Sequence, residues 1–122
     1  MILFAFLALI CIYLVNSRLS KYGQKYYWFF ELSHFLAGLL IAIILSYYIN
    51  SSLLILVIVF LVGILWEIIE YLFHRNSYLN YVLKKLGFNS DYPNLKDTIL
   101  DIFLDLLGAC TLLILKHGFR FL

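Results

Sequence analysis

Four long apolar stretches separated by shorter polar segments dominate the chain. They cover about residues 2–15, 27–49, 53–73 and 95–115, and Asn50-Ser51-Ser52 forms a tight polar turn between the second and the third. The last three stretches are about 20 residues long, the length that an α-helix needs to cross a hydrocarbon core about 30 Å thick. Membrane strands would show an alternation of apolar and polar residues with a period of two, and no such alternation is visible. The pattern predicts an all-α integral membrane protein, a four-transmembrane-helix bundle in which helices two and three form an antiparallel hairpin.

The first stretch is shorter than the others, about 15 residues or about 22 Å of helix. No Lys or Arg precedes it, and Asn16-Ser17-Arg18 follows it where a signal peptide would have a small-residue cleavage site. We therefore expect a retained first helix. It either crosses a locally adapted bilayer or continues into the polar residues that follow.

The polar connection at residues 74–94 contains a further helical pattern. Lys84 and Lys85 lie beside the apolar positions, and Gly87 and a turn at residues 91–94 follow them. This arrangement predicts a short amphipathic helix that lies at the membrane interface. Its apolar face consists of Tyr78, Leu79, Val82, Leu83 and Leu86.

Composition supports the membrane class. The chain has 122 residues, of which 65% are hydrophobic, and its mean hydropathy is +0.98. This length indicates a single domain. The net charge is only +2 and no basic run is present, so we expect membrane lipid as a partner and no nucleic acid. Cys11 and Cys110 fall in apolar stretches without a CxxC motif and are interpreted as small hydrophobic residues.

The distribution of positive charge predicts the orientation. One side of the membrane would carry only Lys116 and Arg120 besides the amino terminus. We expect the protein to be integral to the cell (inner) membrane. By the positive-inside rule, its two longer connections lie in the cytoplasm and both termini lie on the outer side. These connections and the start of the last helix carry Arg18, Lys21, Lys25, Arg75, Lys84, Lys85 and Lys96.

Six of the seven acidic residues lie inside segments predicted to span the membrane. A charged carboxylate near the bilayer centre costs about 2.5–3.5 kcal/mol even on the lenient insertion scale. Partners, protons or metal ions must therefore neutralise these groups, and the cluster indicates a functional site. The six are Glu31, Glu67, Glu70, Asp97, Asp101 and Asp105.

Helical spacing places these acids on one face of each of three helices. All begin or end on the predicted cytoplasmic side, so they share one layer within about 12–15 Å of that boundary. Each polar face continues into a glycine, a residue that marks close approach of membrane helices. The faces are Glu31, His34 and Gly38 on helix two, Gly63, Glu67 and Glu70 on helix three, and Asp97, Asp101, Asp105 and Gly108 on helix four.

The residue types favour a metal site. Glu31-x-x-His34 has the i, i+3 spacing of carboxylate-bridged metal centres in helical bundles, and Glu67-x-x-Glu70 adds oxygen ligands. Oxygen with imidazole suits Mg²⁺, Mn²⁺, Fe²⁺ or Zn²⁺. The predicted metal ligands are Glu31, His34, Glu67, Glu70, Asp101 and Asp105.

Whether the protein is an enzyme stays open. If it is one, metal-assisted chemistry on a lipid-linked or phosphorylated headgroup fits the location. Arg75 and Lys96 would then bind the phosphate. The candidate catalytic residues are His34, Glu67, Asp101 and Asp105. No GxSxG, HExxH or glycine-rich phosphate loop is present.

A plainer interpretation exists for several polar residues. Asp97, Glu31 and Glu70 lie close enough to helix ends to reach the headgroup layer. His74 is interpreted as a solvated loop residue and His117 as part of the tail.

Three short motifs resemble those of known membrane proteins. His34-Phe35-Leu36-Ala37-Gly38, the WEIIEY segment at Trp66–Tyr71, and a last helix with repeated aspartates before Gly108-Ala109 resemble the VanZ-like proteins and, more closely, the YjdF-type inner-membrane proteins. The resemblance covers about residues 31–115 and implies a compact polytopic helical fold. The chain departs from the VanZ-like pattern at Asp105, where an asparagine is frequent, and after the helix-three glutamate, where a glutamine is frequent.

Two other classes of function fit the same acids. One is a non-catalytic assembly subunit whose acids pair with cations on partner helices or in a homo-oligomer. The other is a proton or cation relay, which requires polar residues that continue to the opposite side. Apart from Ser46 on helix two and Thr111 on helix four, the spans offer few polar residues toward that side.

Overall fold

A computed structural model describes residues 2–19, 26–85 and 94–118 of the protein. Within these residues the chain is all-helical. The helices are α1 (Ile2–Leu19), α2 (Tyr27–Leu45), α3 (Ser52–Arg75), α4 (Ser77–Lys85) and α5 (Leu95–Gly118).

Three of these helices, α2, α3 and α5, are long and apolar enough to cross a membrane. This confirms three of the predicted spans by length and composition. The apolar part of α1, Ile2–Asn16, is shorter than the others. Outward-facing side chains along these helices are mostly large and hydrophobic, as expected of surfaces that contact lipid.

The turn between α2 and α3 begins earlier than the sequence pattern predicts. Helix α2 ends at Leu45, and the Tyr48 amide donates to the Leu45 carbonyl at 3.0 Å, which starts the reversal of the chain. Ser51 then caps α3, because its Oγ accepts a hydrogen bond from the Leu54 amide at 3.3 Å. We call the end of the molecule that holds residues 46–51 the turn end. The opposite end, where α2 and α5 begin, is the loop end.

Helices α2 and α5 run parallel and form the most extensive helix pair. Two glycines allow this close approach. A Cβ atom on Gly38 would overlap the Asp105 carbonyl, and one on Gly108 would overlap the Phe35 carbonyl. The sequence prediction that glycines mark close helix contacts is therefore confirmed at both positions. The register of this pair fixes which acids of α5 face α2.

Helix α3 runs antiparallel to α5 and packs on a different face of it. In the half of the molecule nearer the turn end, the interior formed by α2, α3 and α5 is apolar. Its buried side chains are Ala42, Ile55, Val59, Ala109 and Leu113. The polar side chains of the interior therefore lie in the other half, nearer the loop end.

Helix α1 packs against α2. A polar contact joins the two, since Ser33 Oγ lies 2.8 Å from Asn16 Oδ1 and 2.6 Å from the Phe29 carbonyl. Tyr13 of α1 also makes an edge-on aromatic contact with Trp66 of α3, with ring centroids 5.9 Å apart. These contacts hold α1 beside the pair that carries the candidate site.

A helix is present where the amphipathic pattern predicts one. Asn76 separates α4 from α3 and caps α4, because its Oδ1 accepts from the amides of Tyr78 and Leu79 at 3.1 and 3.2 Å. The expected end of this helix lies outside the described residues. So do three of the cations behind the predicted orientation. These positions are Leu86, Gly87 and residues 91–93 for the helix, and Lys21, Lys25 and Arg120 for the orientation.

Candidate metal centre

His34 lies between two carboxylates of α5. Its Nε2 is 3.7 Å from Asp101 Oδ1, and its Nδ1 is 3.6 Å from Asp105 Oδ1. Both distances exceed those of ordinary hydrogen bonds. Asp101 and Asp105 are one helical turn apart, so the parallel packing of α2 on α5 brings one acid to each ring nitrogen. All three side chains are at least four-fifths buried, with exposures of 19%, 15% and 10% for His34, Asp101 and Asp105.

Glu67 adds a third helix to this arrangement. One ligand atom from each of His34, Glu67 and Asp101 lies within 4.8 Å of the others. Around an ion with ligands at about 2.0–2.2 Å, adjacent ligand atoms are about 3.0–3.4 Å apart and opposite ones are about 4.2 Å apart. The three ligand atoms lie within a limit that is only slightly wider than the span of a first coordination shell. Small side-chain rotations would bring them onto one ion.

Thr98 holds the carboxylate of Glu67. Its hydroxyl donates a hydrogen bond of 2.8 Å to Glu67 Oε2. The sequence pattern does not single out Thr98, because it lies outside the acidic face of α5. A usable indication exists, since Thr98, Ile102 and Asp105 share the i, i+4, i+7 spacing of a second face, which packs on α3.

Asp105 is the most buried acid in the described residues, with 7% of its surface exposed. Its second oxygen, Oδ2, lies against Gly63, where a Cβ atom would be only 3.0 Å away. Gly63 therefore makes room for this carboxylate between α3 and α5. Asp105 lies outside the three-residue group, on the side of His34 that faces away from Asp101.

Asp97 lies at the loop end of the site. It accepts a hydrogen bond of 2.8 Å from the Tyr27 hydroxyl, which links the first turns of α2 and α5. Glu31 also lies beside this phenol. Glu31 and Glu70 are partly buried and lie outside the three-residue group, one turn from His34 and Glu67. The structure thus brings His34, Glu67, Asp101 and Asp105 together and leaves the other two predicted ligands at the periphery.

The two predicted phosphate-binding cations are exposed and lie at the loop end. Arg75 is the last residue of α3, and Lys96 lies in the first turn of α5. Their role in binding a phosphate stays a prediction.

Two histidines differ from the sequence interpretation. His74 is not a solvated loop residue, because it lies in the last turn of α3 with 9% of its surface exposed. Its Nδ1 is 2.9 Å from the Glu70 carbonyl. His117 lies in the last turn of α5, and its Nε2 is 2.9 Å from Ser52 Oγ. His117 therefore connects α5 to the start of α3 at the turn end.

This fold and this site define a class. The chain is a small helical membrane protein with several apolar spans and an inward-facing His, Glu and Asp cluster in the half nearer its loop end. It belongs to the family described as predicted membrane protein DUF2238, whose model matches residues 1–120. The match supports a membrane family, as the sequence resemblance implied, but not the VanZ-like or YjdF-type proteins specifically. We find no match to the chain among curated proteins or among solved structures.

Proposed function

We propose that this membrane protein binds one divalent cation through His34, Glu67 and Asp101. The observation that carries the proposal is the convergence of one donor atom from each of three helices within 4.8 Å. The three residues are far apart in sequence, and each comes from a helix that is long and apolar enough to cross a membrane. Acids at this depth need a counter-charge, and a bound cation provides one. Unlike a relay, a bound cation does not require polar residues that continue across the membrane.

Asp105 and Thr98 support the three ligands. Asp105 Oδ1 lies 3.6 Å from His34 Nδ1, so a small rotation would let Nδ1–H donate to it and leave the Nε2 lone pair directed toward Asp101 and the ion. Metal-binding histidines commonly have such a carboxylate on their second nitrogen. The Thr98 hydroxyl orients Glu67 in the same way.

The chemistry that fits this site is metal-assisted reaction or recognition at a phosphorylated or lipid-linked headgroup. A nitrogen and two carboxylate oxygens suit Mg²⁺, Mn²⁺, Fe²⁺ or Zn²⁺. The ion would polarise a phosphoryl oxygen, while Arg75 and Lys96 attract the anionic group from the loop end. In an enzyme, His34, Glu67, Asp101 and Asp105 would form the catalytic set.

The proposed membrane placement has four spans, with α1 as the fourth and α4 at the interface. According to the positive-inside rule, the loop end faces the cytoplasm and both termini lie on the outer side of the cell (inner) membrane. The whole chain is one domain. The resemblance to the VanZ-like and YjdF-type proteins adds an expectation of the same compact polytopic fold.

Metal content tests the proposal directly. Protein purified in detergent would be stripped with chelator, reloaded, and titrated with Mn²⁺ while free Mn²⁺ is followed by electron paramagnetic resonance. We expect about one tight equivalent per chain. Asp101→Asn should abolish tight binding. Asp97→Asn, one turn earlier on the same helix and hydrogen-bonded to Tyr27, should retain it.

The outcomes separate the competing functions. Absence of stoichiometric binding for every divalent ion tested would refute the cation site. Purified protein that is stable only with a co-purifying partner would favour the assembly subunit. Proton flux in proteoliposomes that Asp105→Asn abolishes would favour the relay. The buried cluster that contains Ala42, Val59 and Leu113 argues against such a flux, because the side chains at its centre are all apolar.

A further inference from the structure

A groove between α3 and α5 adjoins the candidate metal centre. Its volume is about 470 Å³, within the range of about 300–1,000 Å³ that is usual for ligand pockets. Ile68 of α3 and Ile102 of α5 contribute to its apolar lining, and Tyr71 and Leu95 line it toward the loop end. Ile68, Tyr71 and Leu95 are exposed. The groove therefore opens sideways, toward the lipid that surrounds the spans.

One wall of the groove is polar and belongs to the site. Glu67 and Thr98, which are joined by the 2.8 Å hydrogen bond, both line it. Glu67 also contributes a donor atom to the three-residue group. A molecule that lies in the groove would therefore touch the side of the proposed cation site.

Two exposed cations lie at the loop end of the two helices that form the groove. Lys96 follows the groove residue Leu95, and Arg75 lies one turn beyond Tyr71 on the same side of α3. The groove thus has an apolar length and a polar side at the proposed cation site, and Arg75 and Lys96 lie in the last and first turns of its two helices. A lipid with a phosphomonoester head would complement this surface. Its chains are apolar like the lining, and its head is a dianion that binds Lys, Arg and divalent cations.

We propose that this groove binds an acyl chain of a phosphomonoester phospholipid, of which phosphatidic acid is the simplest example. The phosphate would lie between Lys96, Arg75 and the cation. The headgroup half of this proposal rests on the proposed cation site. The chain-binding half rests only on the groove.

Binding of fluorescent phosphatidic acid to the purified protein in detergent micelles, with and without Mn²⁺, tests the inference. The comparison ligands are phosphatidylcholine, diacylglycerol and glycerol 3-phosphate. We expect phosphatidic acid to bind at least about tenfold more tightly than the other three, because only it has both chains and a phosphate dianion. Equal binding of phosphatidic acid and phosphatidylcholine would overturn the proposed occupant.

A matched pair of variants locates the chain. Ile102→Trp fills the groove, whereas Phe103→Trp places the same side chain on an exposed neighbouring position outside it. We expect Ile102→Trp to weaken phosphatidic acid binding about tenfold and Phe103→Trp to leave it unchanged. Mn²⁺ binding should be normal in both. Equal lipid binding by the two variants would overturn the groove assignment.

A second pair guards against misfolding of the first. Ile68→Trp enters the groove from α3, and Ile69→Trp does not. Failure of the cation site alone would give a different result. The wild-type protein would bind no Mn²⁺, yet the groove variants would still bind phosphatidic acid more weakly than the wild type. Failure of the groove would appear as normal Mn²⁺ binding with lipid affinity that no groove variant changes.

Discussion

Gly38 of α2 lies directly against the backbone of Asp105 in α5. A Cβ atom at Gly38 would overlap the Asp105 carbonyl, and the side chain of the same aspartate reaches the Nδ1 of His34 at 3.6 Å. The helix contact and the candidate site therefore share one residue. The register of α2 against α5 therefore places His34 between Asp101 and Asp105.

Gly38→Ala should separate α2 from α5. Because the added methyl group meets backbone, which cannot rotate away, we expect a loss of stability of about 1–3 kcal/mol and weaker metal binding. Thermal unfolding in detergent and Mn²⁺ titration measure the two effects. Gly63→Ala is the control, since its methyl group meets a carboxylate oxygen at 3.0 Å and should cost less stability. Equal stability of Gly38→Ala and wild type would contradict this packing.

Thr98→Val should weaken cation binding about 10–100-fold, a usual cost of removing a partner that orients a ligand. Valine has the shape of threonine but cannot donate to Glu67. Thr111→Val is the matched control on the same helix, because the Thr111 hydroxyl donates only to the Leu107 carbonyl among the described residues. Mn²⁺ titration of both variants decides the matter. Similar affinities for the two variants would argue against Glu67 as a ligand.

Cation binding should weaken as the pH falls. The proposed ligands His34, Glu67 and Asp101 must be free of protons at the donor atoms, so protons compete with the ion and affinity rises with pH until the donors are deprotonated. Mn²⁺ titrations between pH 5 and 8 measure this slope. A pH-independent affinity would exclude these donors.

Asp105→Asn should shift this pH profile without abolishing binding. The asparagine carbonyl can take the same position beside His34 Nδ1, but the loss of charge lowers the basicity of the ring and weakens binding by about tenfold. Asp105→Leu removes the acceptor and should cost more. If Asp105→Asn abolishes binding as Asp101→Asn does, Asp105 is itself a ligand, as its sequence position also allowed.

Ser33→Ala should loosen α1 from α2. The contact between Ser33 Oγ and Asn16 Oδ1 is of a kind that contributes about 0.6 kcal/mol on average in membrane helices, with a maximum near 1.7. Ser46→Ala is the control, since the Ser46 hydroxyl donates to the carbonyl of Ile43, three residues earlier in the chain. Unfolding of the two variants in detergent compares them. A loss for Ser33→Ala no larger than that for Ser46→Ala would contradict a stabilising contact between Ser33 and Asn16.

The sequence by itself determined the apolar spans, the helix at residues 77–85 and the acidic faces, because hydropathy and helical periodicity are local properties of the chain. It also indicated close approach at Gly38 and Gly108. Membrane segments carry these patterns strongly, since each must satisfy its own backbone hydrogen bonds as a helix.

Only the tertiary structure decided which polar residues meet. A periodic pattern gives the face of a helix but not the neighbour that it contacts, its register or its rotation. The parallel register of α2 and α5 placed His34 between Asp101 and Asp105, and the antiparallel packing of α3 added Glu67 and its partner Thr98. It left Glu31 and Glu70 outside the group. Contacts between residues about 30 to 70 positions apart depend on how whole helices pack, and that information is not local.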